Sequence, residues 1–152
     1  AGVNLAAAVA CFTIPLFGIV SDWTSRKAVY TVGNVLLIAL ALPYYALLSS
    51  GQAVWVITAT IVMLGVVHAM LYAVQGALIS ELFPTGLRYS GASLAYQLAG
   101  PFAGGMAPIV ATLLDRWTHS YWSLAIYVML LAAVSMACAW RLQDAKYRDV
   151  TH

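Results

Sequence analysis

The seven basic and five acidic residues of this 152-residue chain all lie outside five long apolar stretches. Those stretches run over residues 3–20, 28–48, 53–78, 92–114 and 122–140. A helix needs about 20 apolar residues to cross about 30 Å of hydrocarbon. Lipid leaves backbone groups no partner but the chain itself, so only helices or closed barrels span it. The alternating ten-residue strands of a barrel are absent. The pattern predicts an all-α fold, a polytopic transmembrane helix bundle of five spans over residues 1–142, and a cytoplasmic tail over 143–152. Composition agrees, with 63% hydrophobic and 8% charged residues, where a soluble domain carries roughly a quarter charged residues. That excludes a soluble domain, a disordered chain and a nucleic-acid binder, and makes the lipid bilayer the expected partner. Cys11 and Cys138 lie inside apolar runs and read as small buried hydrophobes, not as a disulfide.

The connectors are short, so neighbouring spans run antiparallel and their charges orient the stack. Arg26 and Lys27 follow the first span, Arg88 the third, and Arg141, Lys146 and Arg148 the fifth. Only Arg116 falls on the other side. The positive-inside rule makes the richer side cytoplasmic, with the C-terminus inside. Trp23, Trp55, Trp117, Trp122 and Trp140 fall at span ends, where amphipathic rings prefer the headgroup region. An odd span count, and a first span that starts at Ala1 with no initiator Met, predict a piece of a longer membrane protein. A signal peptide is the wrong reading, because Arg26 and Lys27 follow the apolar run instead of preceding it.

Two cytoplasmic connectors carry candidate chemistry. The first contains Gly18, Asp22, Arg26 and Lys27. Gly18 permits close helix approach, Asp22 is a candidate helix cap, and the cations can pair with carboxylates or lipid phosphates. The bland alternative is a positive-inside turn. The second runs from Ser80 through Glu81, Pro84 and Arg88 to Gly91. Pro84 ends the preceding helix, and Ser90 is a candidate N-cap. An unpaired Glu81 at the membrane edge is costly, so a Glu81–Arg26–Arg88 cluster is expected. It would serve as a gate that breaks when helices separate, or as a static ion pair worth little where water reaches it.

These connectors carry a resemblance. Gly18-x-x-x-Asp22-x-x-x-Arg26-Lys27 is similar to the signature loop of the major facilitator superfamily of secondary transporters. Glu81-Leu-Phe-Pro-Thr-x-x-Arg88-Tyr89-Ser90-Gly91 resembles the metabolite:proton symporter branch, with its shikimate, α-ketoglutarate and proline/betaine carriers. Ser93, Tyr96, Gln97, Gly104, Gly105 and Pro108 continue that likeness. Trp23, Ser25 and Gly86 depart from the usual Arg, Gly and Arg, which thins the loop's charge network. The resemblance implies twelve helices in two six-helix halves, with substrate at midplane and alternating access by rocking. It places this chain as the eighth to twelfth helices, in a bacterial inner membrane. The implied partners are the missing N-terminal half, a small organic solute and H+, with no cofactor and no metal.

Polar residues inside the spans fall on stripes. His68, Tyr72 and Gln75 sit at i, i+4 and i+7, one face of a helix that Gly65 and Ile79 extend. Ser93, Gln97, Gly100 and Gly104 form a second stripe, and Asn4, Ala8, Cys11, Pro15 and Gly18 a third. Polar groups at membrane depth turn toward the protein interior or a wet cavity. The resemblance puts all three helices near the central cavity, so His68, Tyr72, Gln75, Tyr96, Gln97 and Asn4 are the substrate-cavity candidates. The alternative role is interhelical bonding worth about 0.6 kcal/mol each. His68 is the one residue deep in a span that titrates near neutral pH, which makes it a candidate proton carrier; the alternative is a neutral histidine bonded to a neighbouring helix. A coupling carboxylate, if used, lies outside these spans. Gly100 and Gly104 make a GxxxG pair suited to close packing. Pro101 and Pro108 interrupt the fourth span's hydrogen bonding, and Pro15 is a candidate bend in the first. The second and fifth spans are plainer and are expected to face lipid, with Tyr44 and Tyr45 as an interface anchor.

The leading function is proton-coupled secondary transport of a small organic metabolite. An uncoupled facilitator or sugar-type porter of the same fold is the alternative within transport. A non-transporting structural bundle is the alternative from another class. An enzyme is disfavoured, because no span carries a carboxylate pair, a metal-ligand cluster or a nucleophile with an evident base.

Overall fold

The computed structural model describes residues 2–141, apart from the side chains at 102 and 103. Five helices are long and apolar enough to cross a bilayer: α1 (Gly2–Trp23), α2 (Arg26–Ser49), α3 (Ala53–Glu81), α4 (Thr85–Thr118) and α5 (Tyr121–Arg141). The described residues contain no strand. Each expected span is one helix, and each runs past the expected stretch at one end or both. The apolar stretch marks only the part that lipid must solvate, and hydrogen bonding carries the helix on through polar interfacial residues. Lys146 and Arg148, two of the basic residues that oriented the stack, lie outside the described residues, as does the expected tail over 143–152.

Two helices depart from α geometry near their middles. Ile61–His68 in α3 and Pro101–Met106 in α4 are π-helical. In α4 the departure begins at Pro101, whose missing N–H removes a rung of the α ladder. The helices run through Pro15 in α1 and Pro43 in α2 without a break in assignment. Ser90 lies inside α4 and does not cap it. The helix is entered through a tight turn at Thr85–Leu87, with Leu87 at the cap position and no side-chain cap bond. Asp22 likewise caps nothing. It belongs to the last turn of α1, and the N-cap of α2 is Ser25.

Packing is shared by α2, which touches α1, α3 and α5, and α3, which touches α1, α2 and α4. This corrects the expectation of plain, lipid-facing second and fifth spans. The physical reason is residue size. On α5 the buried residues are Ala125, Ala132 and Ala139, one every seven positions, a small-residue seam that lets a neighbouring backbone come close. On α2 the buried residues are Val29, Gly33, Asn34 and Ala41. A Cβ built on Gly33 would lie 2.8 Å from Leu71 Cδ2 of α3.

Close approach between α1 and α3 runs through Gly65, where an added Cβ would lie 3.1 Å from Val9 Cβ and 3.2 Å from the Ala6 carbonyl oxygen. Gly18, Gly100 and Gly104 were the expected contact glycines, yet nothing lies within 4 Å of a Cβ built on any of them. They sit on faces that no described helix covers. Cys11 and Cys138 are free and exposed, and not buried as expected. Helix α4 meets α3 through its first half and α5 through its last, and none of its described residues is buried.

Candidate functional site

One end of the bundle holds a clip between three helices. Arg26, the first residue of α2, sits one turn beyond Asp22 at the end of α1. Its Nη2 is 3.0 Å from Asp22 Oδ1. Its Nη1 donates to Glu81 Oε1 at the end of α3. One guanidinium fork therefore ties the last turn of α1 and the last turn of α3 to the first turn of α2, a use of planar donors that suits arginine. The expected partner Arg88 is not in the cluster. It is exposed and makes no ion pair among the described residues. The reason lies in the connector: the Phe83 ring occupies the space over Gly91, and the tight Thr85–Leu87 turn then starts α4 with Arg88 facing outward.

Lys27 takes a different partner. Its Nζ donates to the Trp140 carbonyl oxygen of α5 at 3.0 Å. The Trp140 indole in turn donates to Thr31 Oγ1 at 3.3 Å, so the same end of α2 is fastened to α5. About one turn into α2 from the same end, the Tyr30 hydroxyl and Ser135 Oγ are 2.6 Å apart. Asn34 is buried and donates its amide to the Tyr30 carbonyl oxygen at 2.9 Å.

The polar stripe expected on α3 divides. His68 and Tyr72 stack, with ring centroids 6.1 Å apart, and both are exposed among the described residues. Gln75 lies one turn further on and lines a separate cleft of about 150 Å³ with Tyr30, Ile79, Ser135 and Cys138. Gly65 does not extend the His68 face and is buried against α1. An α-helical residue advances about 100° around the axis, and a wider π turn advances it less. Three residues of wide turn therefore separate Gly65 and His68 onto different faces. On α4, Ser93, Gln97, Gly100 and Gly104 are all exposed along one uncovered strip, and Tyr96 turns its hydroxyl toward Gly76 of α3. Asn4, Ala8, Cys11 and Pro15 are exposed on α1 in the same way.

Thr13, Tyr30 and Ser135 carry interhelical hydrogen bonds and Asn34 bonds back within α2, and sequence reasoning passed over all four. The i, i+4 spacing of Tyr30 and Asn34 in an apolar run was a usable signal. Thr13 had none, because its acceptor is a backbone carbonyl 52 positions away.

The profile of the Major Facilitator Superfamily matches residues 2–151. The shikimate transporter of Escherichia coli K12 is 30% identical over 93% of this chain and 33% of its own length. The proline/betaine transporter of Salmonella typhimurium is 27% identical over 91% of this chain and 27% of its own length. The citrate-proton symporter of Klebsiella pneumoniae is 29% identical over 80% of this chain and 29% of its own length. The chain thus spans about a third of the length of the curated relatives it matches. No solved structure matches it. With five membrane-crossing helices and a profile match along nearly its whole length, the chain is an integral membrane protein and belongs to the Major Facilitator Superfamily.

Proposed function

We propose that this chain is part of a secondary transporter that moves a small organic metabolite together with H+ across a bacterial inner membrane by alternating access. The observation that carries the reading is the run of relatives named as a shikimate transporter, a proline/betaine transporter and a citrate-proton symporter, each aligned over 80–93% of the chain. In this reading the chain supplies the eighth to twelfth helices, and the seventh helix and the first half come from the rest of the protein.

The geometry supports a division of labour. The uncovered faces of α1 and α4 carry Asn4, Ser93 and Gln97, and polar groups on a membrane helix belong against protein or water and not lipid. These faces and the His68–Tyr72 pair form this half's wall of the substrate cavity. Gln75 reaches substrate only if its cleft opens to that cavity. No charged side chain stands mid-span, so a charged substrate takes its counter-charge from the other half. His68 is this half's candidate to carry the proton. The Arg26 fork is the cytoplasmic latch, closed when α1, α2 and α3 converge and parted as they move. The basic connectors support a cytoplasmic placement of this end and of the C-terminus.

The test is uptake by the full-length protein in membrane vesicles, with labelled shikimate, proline, betaine and citrate as probes. Uptake of one of them, stimulated by an inward proton gradient, is expected. Uptake that ignores the gradient assigns an uncoupled facilitator. No uptake of any probe by a correctly inserted protein overturns the reading of substrate class. His68→Ala and Gln97→Ala are each expected to reduce uptake at unchanged membrane level.

A further inference from the structure

The wide-turned stretch of α3 has a partner on α1 that is not part of the cavity. The Thr13 hydroxyl donates to the Gly65 carbonyl oxygen at 2.5 Å. Gly65 stands in the middle of the π-helical segment Ile61–His68. The contact is possible because Gly65 has no side chain, which brings α1 to within van der Waals distance at Val9 and Ala6. A helix backbone that gives up α geometry needs something outside its own ladder to hold the wider turn, and a side chain inserted beside the ladder is a recognised way to do so. The segment ends at His68, so the width of this turn sets the direction in which His68, and through the stacked ring Tyr72, faces.

Thr13 has a second option. Its own helix offers the carbonyl oxygens of Val9 at 3.2 Å and Ala10 at 3.4 Å. A hydroxyl has a single proton, and here the nearest acceptor is the one across the interface. If α1 and α3 slide apart, the proton falls back on Val9 or Ala10, a bond threonine commonly makes inside helices. No buried donor is stranded in either arrangement. The hydroxyl therefore holds the turn when the helices are together and releases it without leaving an unpaired polar group.

We infer that Thr13 is a positioning residue: its hydroxyl holds the π turn at Gly65 and thereby aims the His68–Tyr72 pair at the cavity. The inference rests on the transport reading for its consequence, and on the Thr13–Gly65 geometry for its mechanism. The two can fail separately.

The experiment compares Thr13→Val, which keeps the shape and removes the hydroxyl, with Thr13→Ser, which keeps the hydroxyl and removes the methyl. Both are made in the full-length protein. Hydrogen exchange of the peptide covering residues 61–72 reads the mechanism without any substrate. Thr13→Val is expected to speed exchange there by about threefold to tenfold, the range of one interhelical hydrogen bond in a membrane, and Thr13→Ser to stay near the parent. In vesicles, Thr13→Val is expected to raise KM for the transported probe several-fold with little change in maximal rate, and Thr13→Ser to restore it. Unchanged exchange in Thr13→Val overturns the inference. Equal acceleration in both variants also overturns it, because packing of the methyl is then what matters. If exchange responds as expected and shikimate, proline, betaine and citrate are all refused by the parent protein, the turn is held by Thr13 and the transport reading is what fails.

Discussion

Arg26 stands between Asp22 and Glu81, with one nitrogen 3.0 Å from Asp22 Oδ1 and the other bonded to Glu81 Oε1. Three helices end or begin at this point, so a single side chain reports on their mutual approach. The arginine and Glu81 are 35% and 25% exposed. Water therefore reaches the pair, and its worth to stability is small, about 0–1 kcal/mol.

That small worth separates two roles. Arg26→Ala is expected to lower thermal stability in detergent only slightly and to reduce uptake several-fold. The combination Arg26→Glu with Glu81→Arg is expected to recover only part of the loss, since Asp22 then faces a like charge across the α1–α2 connector. Exchanging Glu81 with Arg88 is expected to recover nothing, because Arg88 lies outside the cluster. Equal uptake by the parent and Arg26→Ala removes the latch from the mechanism.

The glycines divide into occupied and open sites. Gly33 faces Leu71 of α3 at 2.8 Å from a built Cβ, and Gly91 faces the Phe83 ring more closely still. Gly33→Val and Gly91→Ala are each expected to destabilise by about 1–3 kcal/mol, the usual cost of overpacking. Phe83→Ala is expected to relieve most of the Gly91→Ala defect. Thermal unfolding of the purified protein measures both. A Gly91→Ala protein as stable as its parent would remove the ring from its assigned place.

Between α2 and α5, the Tyr30–Ser135 bond predicts a measurable coupling. Tyr30→Phe and Ser135→Ala remove the same hydrogen bond from opposite sides. A double-mutant cycle is expected to give a coupling of about 0.6 kcal/mol, the average for such bonds in membranes. Additive effects would mean that the two hydroxyls do not meet.

Topology is testable with single cysteines in a background where Cys11 and Cys138 are replaced by alanine. Ser50 is exposed after α2, and Thr85 is exposed at the start of α4. A membrane-impermeant thiol reagent is expected to label Ser50→Cys from outside the cell, and Thr85→Cys only after the membrane is opened. The reverse pattern would invert the stack and place the Arg26 latch on the outer face.

How much of this was legible beforehand follows from what each feature depends on. The five spans and their approximate limits depend on the chemistry of consecutive residues, because lipid acts on a helix through its composition. A pairing of Glu81 with Arg26 was also within reach, since an acid at a membrane edge needs a cation and few were available. The sequence by itself thus determined that the chain crosses a membrane, where it crosses, and which charges gather at one end. Tertiary structure decided which helices pack together, which glycines are occupied, and which way His68 faces. Those outcomes depend on the fit between surfaces distant in sequence: the alanine seam of α5 against α2, Gly65 against Val9, and the Thr13 hydroxyl on a carbonyl of another helix. Arg88 missed its expected partner for the same reason, since a ring packed on a glycine turned the connector and no count of charges contains that contact.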